Sequence, residues 1–502
     1  MAFSLSVTEN PSGIGNQYAL PFSEPHIVDL LIVGSFLYLL NVIHGIFQFL
    51  FGAGLVGQLA LGAVYTIPLA NILPFDIQTS IGTIGYLGLL LLIVEGGLDA
   101  RLDILSERRN LSICIIVALS GIGFPIGLSI LALHFGYSYS VLESFVVGAA
   151  LSATSLGTTF AIMSSFRFPS SRPDTYVLDS GDEPRQESSA SSKEGGLGDT
   201  RAGTILIGAA LLDDIVGLVI SSVVSNLGST SSGPISGWVI ARPIVSSFAL
   251  LAITAVLARL VSPIVIKFLV RRTQSLQIRD GWAVQTPNLT LLIFITIITA
   301  YVTISHYIGS SMLIGSFCAG ALLSHGWKLL KATSESDRIQ YWSPHHAFER
   351  IAPVQNHVLA PFFFASIGAA IPVRSLFHAT TAWRGILYSA LMVVAKVAAG
   401  AWLPIWSVLE RRLGSSDLQT HGPSWPAGLF VGLALVTRGE IGLLILNIAQ
   451  SGGLVTEEAF GVGIWAVVLS TLLGPIGVGR LLQTRVAVWV VGGPWGMNHR
   501  TG

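Results

Sequence analysis

The chain has 502 residues, of which 52% are hydrophobic and 11% charged, with a mean hydropathy of +0.70 and a formal net charge of zero. Soluble domains carry about 25% charged residues, so this composition belongs in a membrane, and the neutral balance argues against nucleic acid as a partner. Its two cysteines, Cys114 and Cys318, both lie inside apolar runs and define neither a disulfide framework nor a zinc site.

Residues 1–26 form a polar N-terminal tail with no basic stretch ahead of an apolar one, so no cleaved signal peptide is read there. Thirteen apolar segments follow, near 27–50, 53–74, 80–98, 110–135, 140–165, 203–225, 240–262, 288–308, 309–325, 352–372, 384–406, 425–450 and 459–483. About 20 apolar residues cross a bilayer as a helix, so the expected fold is an all-α polytopic membrane protein with about 13 transmembrane helices. Residues 167–201, rich in Ser, Gly, Asp and Glu, read as a flexible loop. With the N-terminus outside or in a lumen, the loops after odd-numbered segments hold Arg101, Arg108, Arg109, Lys267, Arg411 and Arg412 among many basic residues, and the opposite side only Arg242, Arg374 and Arg384. That asymmetry places the C-terminus in the cytoplasm, and leaves the plasma membrane and an endomembrane both open.

Four polar features interrupt the apolar runs at similar depth. Asp213 and Asp214 sit side by side at the midpoint of 203–224, which has no other charge. One charged side chain at the bilayer centre costs roughly 2.5–3.5 kcal/mol on insertion scales, so two adjacent acids point to an ion or proton site. Lys396 is the one charge near the middle of the eleventh segment, and Thr437-Arg438-Gly439-Glu440 lies in the middle of the twelfth. Ser152-Ala-Thr154-Ser155-Leu-Gly-Thr-Thr159 is a polar break near the centre of the fifth.

Burial disfavours the charged form of a carboxylate and a neighbouring ammonium favours it. An acid held between those influences can exchange a proton for a small cation. Lys396 needs an anionic partner, and either Asp213 or Asp214 qualifies; a static ion pair joining two helices is the plainer alternative. Broken helices expose backbone groups that are tolerated only against a cavity or protein. Their ends act as partial charges that Arg438 and Glu440 could offset, and the Thr154 and Ser155 hydroxyls could join a cation shell. In each half of the chain a broken segment neighbours one with a central charge, the pattern of inverted repeats with two discontinuous helices crossing at a midplane site. Glu95 and Asp99 are read as interfacial, or paired with Arg101, ahead of a cation-entry role, and His345, His346 and His357 as solvated loop residues.

With these residues in place the chain resembles the monovalent cation:proton antiporter superfamily, and most closely its second branch, which includes the bacterial sodium/proton antiporters. The motifs are Gly-Ala-Ala-Leu-Leu-Asp213-Asp214, Ser-Ala-Thr154-Ser155-Leu-Gly, Pro361-Phe-Phe-Phe-Ala-Ser-Ile-Gly368, Lys396 and Thr-Arg438-Gly-Glu440-Ile-Gly-Leu, and the likeness covers nearly all of 27–485. It implies a homodimer. Scaffold or dimerisation helices would fall in 27–109 and 288–372, and a core transport domain in 110–225 and 384–485. A linker helix and loop would occupy 226–287, and a C-terminal tail 486–502. It also implies that Asp214 binds the cation and the proton, that Asp213 pairs with Lys396, and that a monovalent cation sits at Asp214, Asp213 and Thr154. An Asp-Asp pair with a lysine goes with electrogenic exchange in relatives. The Glu-Gly-Gly-Leu-Asp run at 95–99 and the loop at 167–201 depart from compact bacterial members, and the loop points to a eukaryotic, fungal homologue.

The function expected is therefore secondary exchange of sodium, or of lithium or potassium, for protons by alternating access, serving pH homeostasis. No cofactor is implied. A proton- or sodium-coupled organic anion carrier is the alternative, with Arg438 as a cationic anchor. A channel would need a selectivity filter that is not evident, and no nucleophile–base pair, metal cluster or phosphate loop speaks for an enzyme.

Overall fold

The computed structural model describes residues 24–100, 108–155, 167–168, 195–229, 237–264, 287–333, 343–412, 422–484 and 486–496. Among these the chain is almost wholly helical, as a hydrocarbon solvent demands: without water, each backbone N–H and C=O has to be paired within its own segment. Nine of the described helices are long and apolar enough to cross a membrane, and four shorter ones are apolar as well.

The helices are α1 (Ile27–Phe51), α2 (Gly54–Tyr65), α3 (Phe75–Asp99), α4 (Arg108–Ser129), α5 (Val141–Ala150), α6 (Arg201–Ser229), α7 (Gly237–Val256), α8 (Pro287–Ile308), α9 (Met312–Thr333), α10 (Pro344–Val354), α11 (Ala360–Ala369), α12 (Val373–Leu376), α13 (Ala379–Gly400), α14 (Trp402–Arg412), α15 (Trp425–Ala434), α16 (Glu440–Ser451), α17 (Glu457–Gln483) and α18 (Val486–Gly492). Wider π turns extend α4 over Ile130–Gly136 and α7 over Leu257–Val261, and Gln355–Leu359 joins α10 to α11.

Two groups of helices emerge from the packing. In one, α2 and α3 pack on α11, α3 on α9, and α1 on α2, with α8 and α10 alongside. In the other, α4, α5, α6, α13, α15, α16 and α17 pack on one another, and α7 touches α6 on one side and α8 and α9 on the other. Close approach in the first group depends on bare glycine backbone. A Cβ on Gly97 would collide with the Phe317 carbonyl, and one on Gly320 with the Val94 carbonyl. Burial follows position rather than composition: the most apolar stretch of α1 is only 11% buried and presents Ile27, Leu31 and Phe49 outward, whereas that of α6 is 72% buried. Both are apolar, so α1 has the surface lipid would cover and α6 the centre.

The structure departs from the sequence reading at several ends. Helix α3 begins at Phe75 and α9 runs on to Thr333, while the second segment is helical only to Tyr65. At the edges of the 167–201 loop Arg167 pairs with Gly196 and Phe168 with Gly195, and Thr200 Oγ1 caps α6 by accepting from Gly203 N at 3.0 Å. Residues 169–194 lie outside the described residues, as do Arg101 and the second half of the fifth apolar segment after Ser155. The C-terminal stretch is packed. Trp495 is fully buried, donates to Ser407 Oγ at 2.8 Å, and lies beneath the Arg201 guanidinium, 4.3 Å away. Arg201 in turn reaches Glu410 Oε1 at 3.2 Å. His345 and His346 sit in the first turn of α10 instead of in a loop, and His345 faces Asp99 at 3.8 Å.

Candidate functional site

Helix α6 carries both aspartates, and adjacent helical residues point roughly 100° apart. They therefore meet different surroundings. Asp213, 1% exposed, faces α13 and the end of α5; its Oδ2 is 2.7 Å from Lys396 Nζ and accepts from Thr154 Oγ1 at 2.8 Å. Lys396 on α13 is fully buried, and an ammonium has three donors and no acceptor. All three are used: Asp213 Oδ2, the Ser152 carbonyl at 2.6 Å and Thr154 Oγ1 at 3.0 Å. On the facing helix α4, Gly121 borders this cluster; a Cβ there would lie in ordinary van der Waals contact, 3.4 Å from Lys396 Nζ and 3.6 Å from Asp213 Oδ2.

The two polar breaks meet. After α5 ends at Ala150, Leu151–Ser155 leave the helix; between α15 and α16, Leu435–Gly439 do the same. Ser155 N donates to the Thr437 carbonyl at 3.2 Å, and Gly439 lies so close to Ser155 that a Cβ would sit 2.8 Å from that residue's own. The C-terminal carbonyls of a helix lack intrahelical partners and carry partial negative charge. At the end of α5 two cations occupy that position. Lys396 takes the Ser152 carbonyl, and Arg438, itself fully buried, donates from Nη1 to the Ser152 and Ala153 carbonyls at 3.3 and 3.1 Å. Arg438 thus compensates the other helix's break instead of its own. Its carbonyl is held by Thr471 Oγ1 of α17 at 3.1 Å.

Asp214 stands apart. It is 7% exposed and, among the described residues, makes no hydrogen bond to Lys396, Thr154 or Ser155 and leaves its buried Oδ1 without a hydrogen-bond partner. The second oxygen of Asp213, Oδ1, likewise has no partner among the described residues. Glu440 opens α16, where a helix N-terminus favours an acid. It is close enough to Asp214 and to Glu95 for their charges to act on one another. Thr154 is engaged by the Asp213–Lys396 pair, with its hydroxyl donating to one and accepting from the other. Ser155 contributes its backbone N–H to the crossing.

Sequence reasoning passed over one member of this region, Thr471, and read another, Ser152, only as part of a polar break. Thr471 appears in sequence as a Ser-Thr dyad in the middle of an apolar run, a signal available to be read. Ser152 acts only through its carbonyl, which no side-chain pattern reports. Chemically, the arrangement holds one carboxylate neutralised by an ammonium and, one residue on, a second buried carboxylate with an oxygen free to take a proton or a small cation.

The sequence profile described as sodium/hydrogen exchanger, transmembrane, matches residues 32–484. The high-affinity Na+/H+ antiporter NhaS3 of Synechocystis sp. is 26% identical over 427 residues, covering 84% of this chain and 76% of that one. A Na+/H+ antiporter of Enterococcus hirae is 24% identical over 469 residues, with 92% and 93% covered. The structure of the sodium proton antiporter MjNhaP1 from Methanocaldococcus jannaschii superposes with a TM-score of 0.59 over 92% of this chain and 100% of that one. At 15% identity that likeness speaks to fold alone.

Proposed function

Because this chain belongs to the sodium/hydrogen exchanger family, we propose that it is a secondary sodium/proton antiporter in which the cation and the proton compete for Asp214. The observation that carries the reading is the division of labour on α6. Asp213 is occupied by Lys396 and Thr154, while Asp214, also buried, has a carboxylate oxygen with no hydrogen-bond donor among the described residues. An ionised carboxylate buried in that state is costly. A bound cation or a bound proton each removes the cost, and the two cannot be held together.

Alternating access is supported by the two helix groups. The group with both breaks and both aspartates is the core that moves, and the group built on α1–α3 and α8–α11 is the scaffold, which also supplies the contact of a homodimer. Helix α7 is the linker. The N-terminus lies outside or in a lumen, the C-terminus in the cytoplasm, and exchange is electrogenic. Relatives differ in cation, since one from Bacillus cereus carries the name Na+/H+-K+ antiporter, so the transported ion is to be measured and not assumed.

The test is exchange in proteoliposomes with an imposed pH gradient and an internal pH dye. Sodium, lithium or potassium should collapse the gradient with the wild-type protein and not with Asp214→Asn. Retained wild-type exchange in that variant would remove Asp214 from the mechanism.

A further inference from the structure

Helix α5 begins with a capping box. Ser140 Oγ accepts from Glu143 N at 3.1 Å, and Glu143 Oε2 accepts from Ser140 N at 2.9 Å. That reciprocal pair needs only one of the two carboxylate oxygens. The other, Oε1, accepts at 2.9 Å from the backbone N–H of Thr456, a residue 313 positions away that is itself the N-cap of α17. Glu143 is 8% exposed, so one buried carboxylate ties together the starts of two helices from opposite halves of the chain.

Where those helices lead gives the contact its meaning. Helix α5 runs rigidly for ten residues, about 15 Å at 1.5 Å per residue, from Glu143's turn to the break at Leu151–Ser155. Helix α17 runs about 22 Å from Thr456 to Thr471, whose hydroxyl holds the Arg438 carbonyl in the second break. A little further on, Gly474 packs bare backbone against Thr437, so closely that a Cβ would overlap that residue. In between, the helices touch where Gly463 of α17 meets Val147 of α5. Sliding α17 along α5 by a fraction of a turn would shift Thr437 and Arg438 past Ser152, Ala153 and Ser155. The bonds that close the crossing would then be lost.

From this geometry we infer that Glu143 is a positioning residue for ion exchange: a strut that sets the register between the two broken helices by holding the N-termini of α5 and α17 with its two carboxylate oxygens. An ordinary helix cap would stabilise α5 alone and leave α17 indifferent. The strut acts on both breaks at a distance and touches neither ion. The inference rests on the antiport reading for its transport consequence, while its structural consequence can be read without transport.

The experiment compares wild type, Glu143→Gln, Thr456→Val and Thr456→Pro as full-length proteins in the same lipid. Gln keeps the size of the side chain but has one acceptor oxygen, so one of the two ties is lost. Thr456→Val removes the cap hydroxyl and keeps the N–H that Glu143 holds. Thr456→Pro removes that N–H as well; its observed φ of −71° already suits proline. Backbone hydrogen exchange by mass spectrometry is read over 151–155 and 435–439, and sodium-driven proton exchange is read as half-saturation and maximum rate. The strut predicts faster amide exchange at both breaks in Glu143→Gln and Thr456→Pro, relative to Thr456→Val. It also predicts sodium half-saturation raised about tenfold, the equivalent of about 1.4 kcal/mol, with the maximum rate changed much less. Faster exchange confined to the first turn of α5, or equal behaviour of Thr456→Val and Thr456→Pro, would overturn it. If wild type shows no sodium-driven exchange, the antiport reading fails and the amide-exchange comparison still decides the strut. If Glu143→Gln does not fold, the two Thr456 variants carry the comparison alone.

Discussion

Removing Lys396 isolates what the buried ion pair contributes. In Lys396→Ala, Asp213 Oδ2 loses a contact of 2.7 Å, the Ser152 carbonyl loses one of 2.6 Å, and Thr154 loses the donor at 3.0 Å, all in a site with no exposed surface on the lysine. Arg438 still reaches Ser152, but from 3.3 Å and with its other bond on Ala153. An uncompensated buried charge left by deleting one partner costs about 3–5 kcal/mol, whereas replacing both partners with apolar groups of similar volume is often close to neutral. The single change is therefore expected to destabilise the fold by about 3–5 kcal/mol. The double variant Asp213→Leu/Lys396→Met should be destabilised by less than Lys396→Ala alone. The assay is reversible unfolding in mixed micelles followed by tryptophan fluorescence, with 11 tryptophans available as reporters. A double-mutant cycle built from Asp213→Leu, Lys396→Met and their double variant should then show a coupling well beyond the roughly 0.3–0.5 kcal/mol seen for independent sites. Additivity within that margin would mean that Asp213 and Lys396 do not act as a pair, and the assignment of Asp214 as the unengaged carboxylate would lose its basis.

Further outcomes are expected elsewhere. Gly439→Val should lower exchange at least tenfold, because its Cβ would lie 2.8 Å from the Ser155 Cβ, and flux in proteoliposomes at matched protein density checks it. Arg438→Lys should not restore the function of Arg438→Leu, since the rigid, weakly hydrated guanidinium sets its Nη1 against the Ser152 and Ala153 carbonyls in a fixed direction, whereas a flexible, strongly hydrated ammonium is not placed there by its own shape; flux through both variants decides. Trp495→Ala should destabilise the protein by about 3–5 kcal/mol, the range for deleting a buried large aromatic, with faster amide exchange at the start of α6, where Arg201 stacks on the ring. Thermal unfolding and hydrogen exchange would show it, and an unchanged melting point would make the packed C-terminal stretch dispensable.

The broad architecture was legible because hydrocarbon imposes a coarse code: long apolar runs become helices whatever their detail. So was the neighbourhood of the site, since Asp213, Asp214, Lys396 and Arg438 are conspicuous in runs that are otherwise uncharged. What the residues by themselves left open was pairing, which only the family resemblance supplied as Asp213 with Lys396. Two adjacent acids and one lysine allow two ion pairs, and only the turn of α6 relative to α13 decides that Asp213 is the one in contact. Arg438 illustrates the same limit, because its partners are backbone carbonyls on a segment 285 residues away. The order at Leu197–Thr200 and around Trp495 was hidden for another reason. Both stretches are polar or short, and they gain structure from each other, through the bonds of Arg201 and Ala202 to the carbonyls of Gly496 and Trp495. Glu143 was readable as Ser-x-x-Glu ahead of an apolar run, but its second tie crosses between halves and leaves no local trace.

The central claim is competition at Asp214, and the sodium half-saturation of exchange measured across a range of pH tests it most directly. Competition predicts that half-saturation rises as pH falls, because each bound proton excludes a cation, while the maximum rate at saturating sodium is retained. In Asp214→Asn both dependences should vanish with the flux. A half-saturation that stays constant while the maximum rate falls on acidification would mean that protons act somewhere other than the cation's own carboxylate, and would contradict the account.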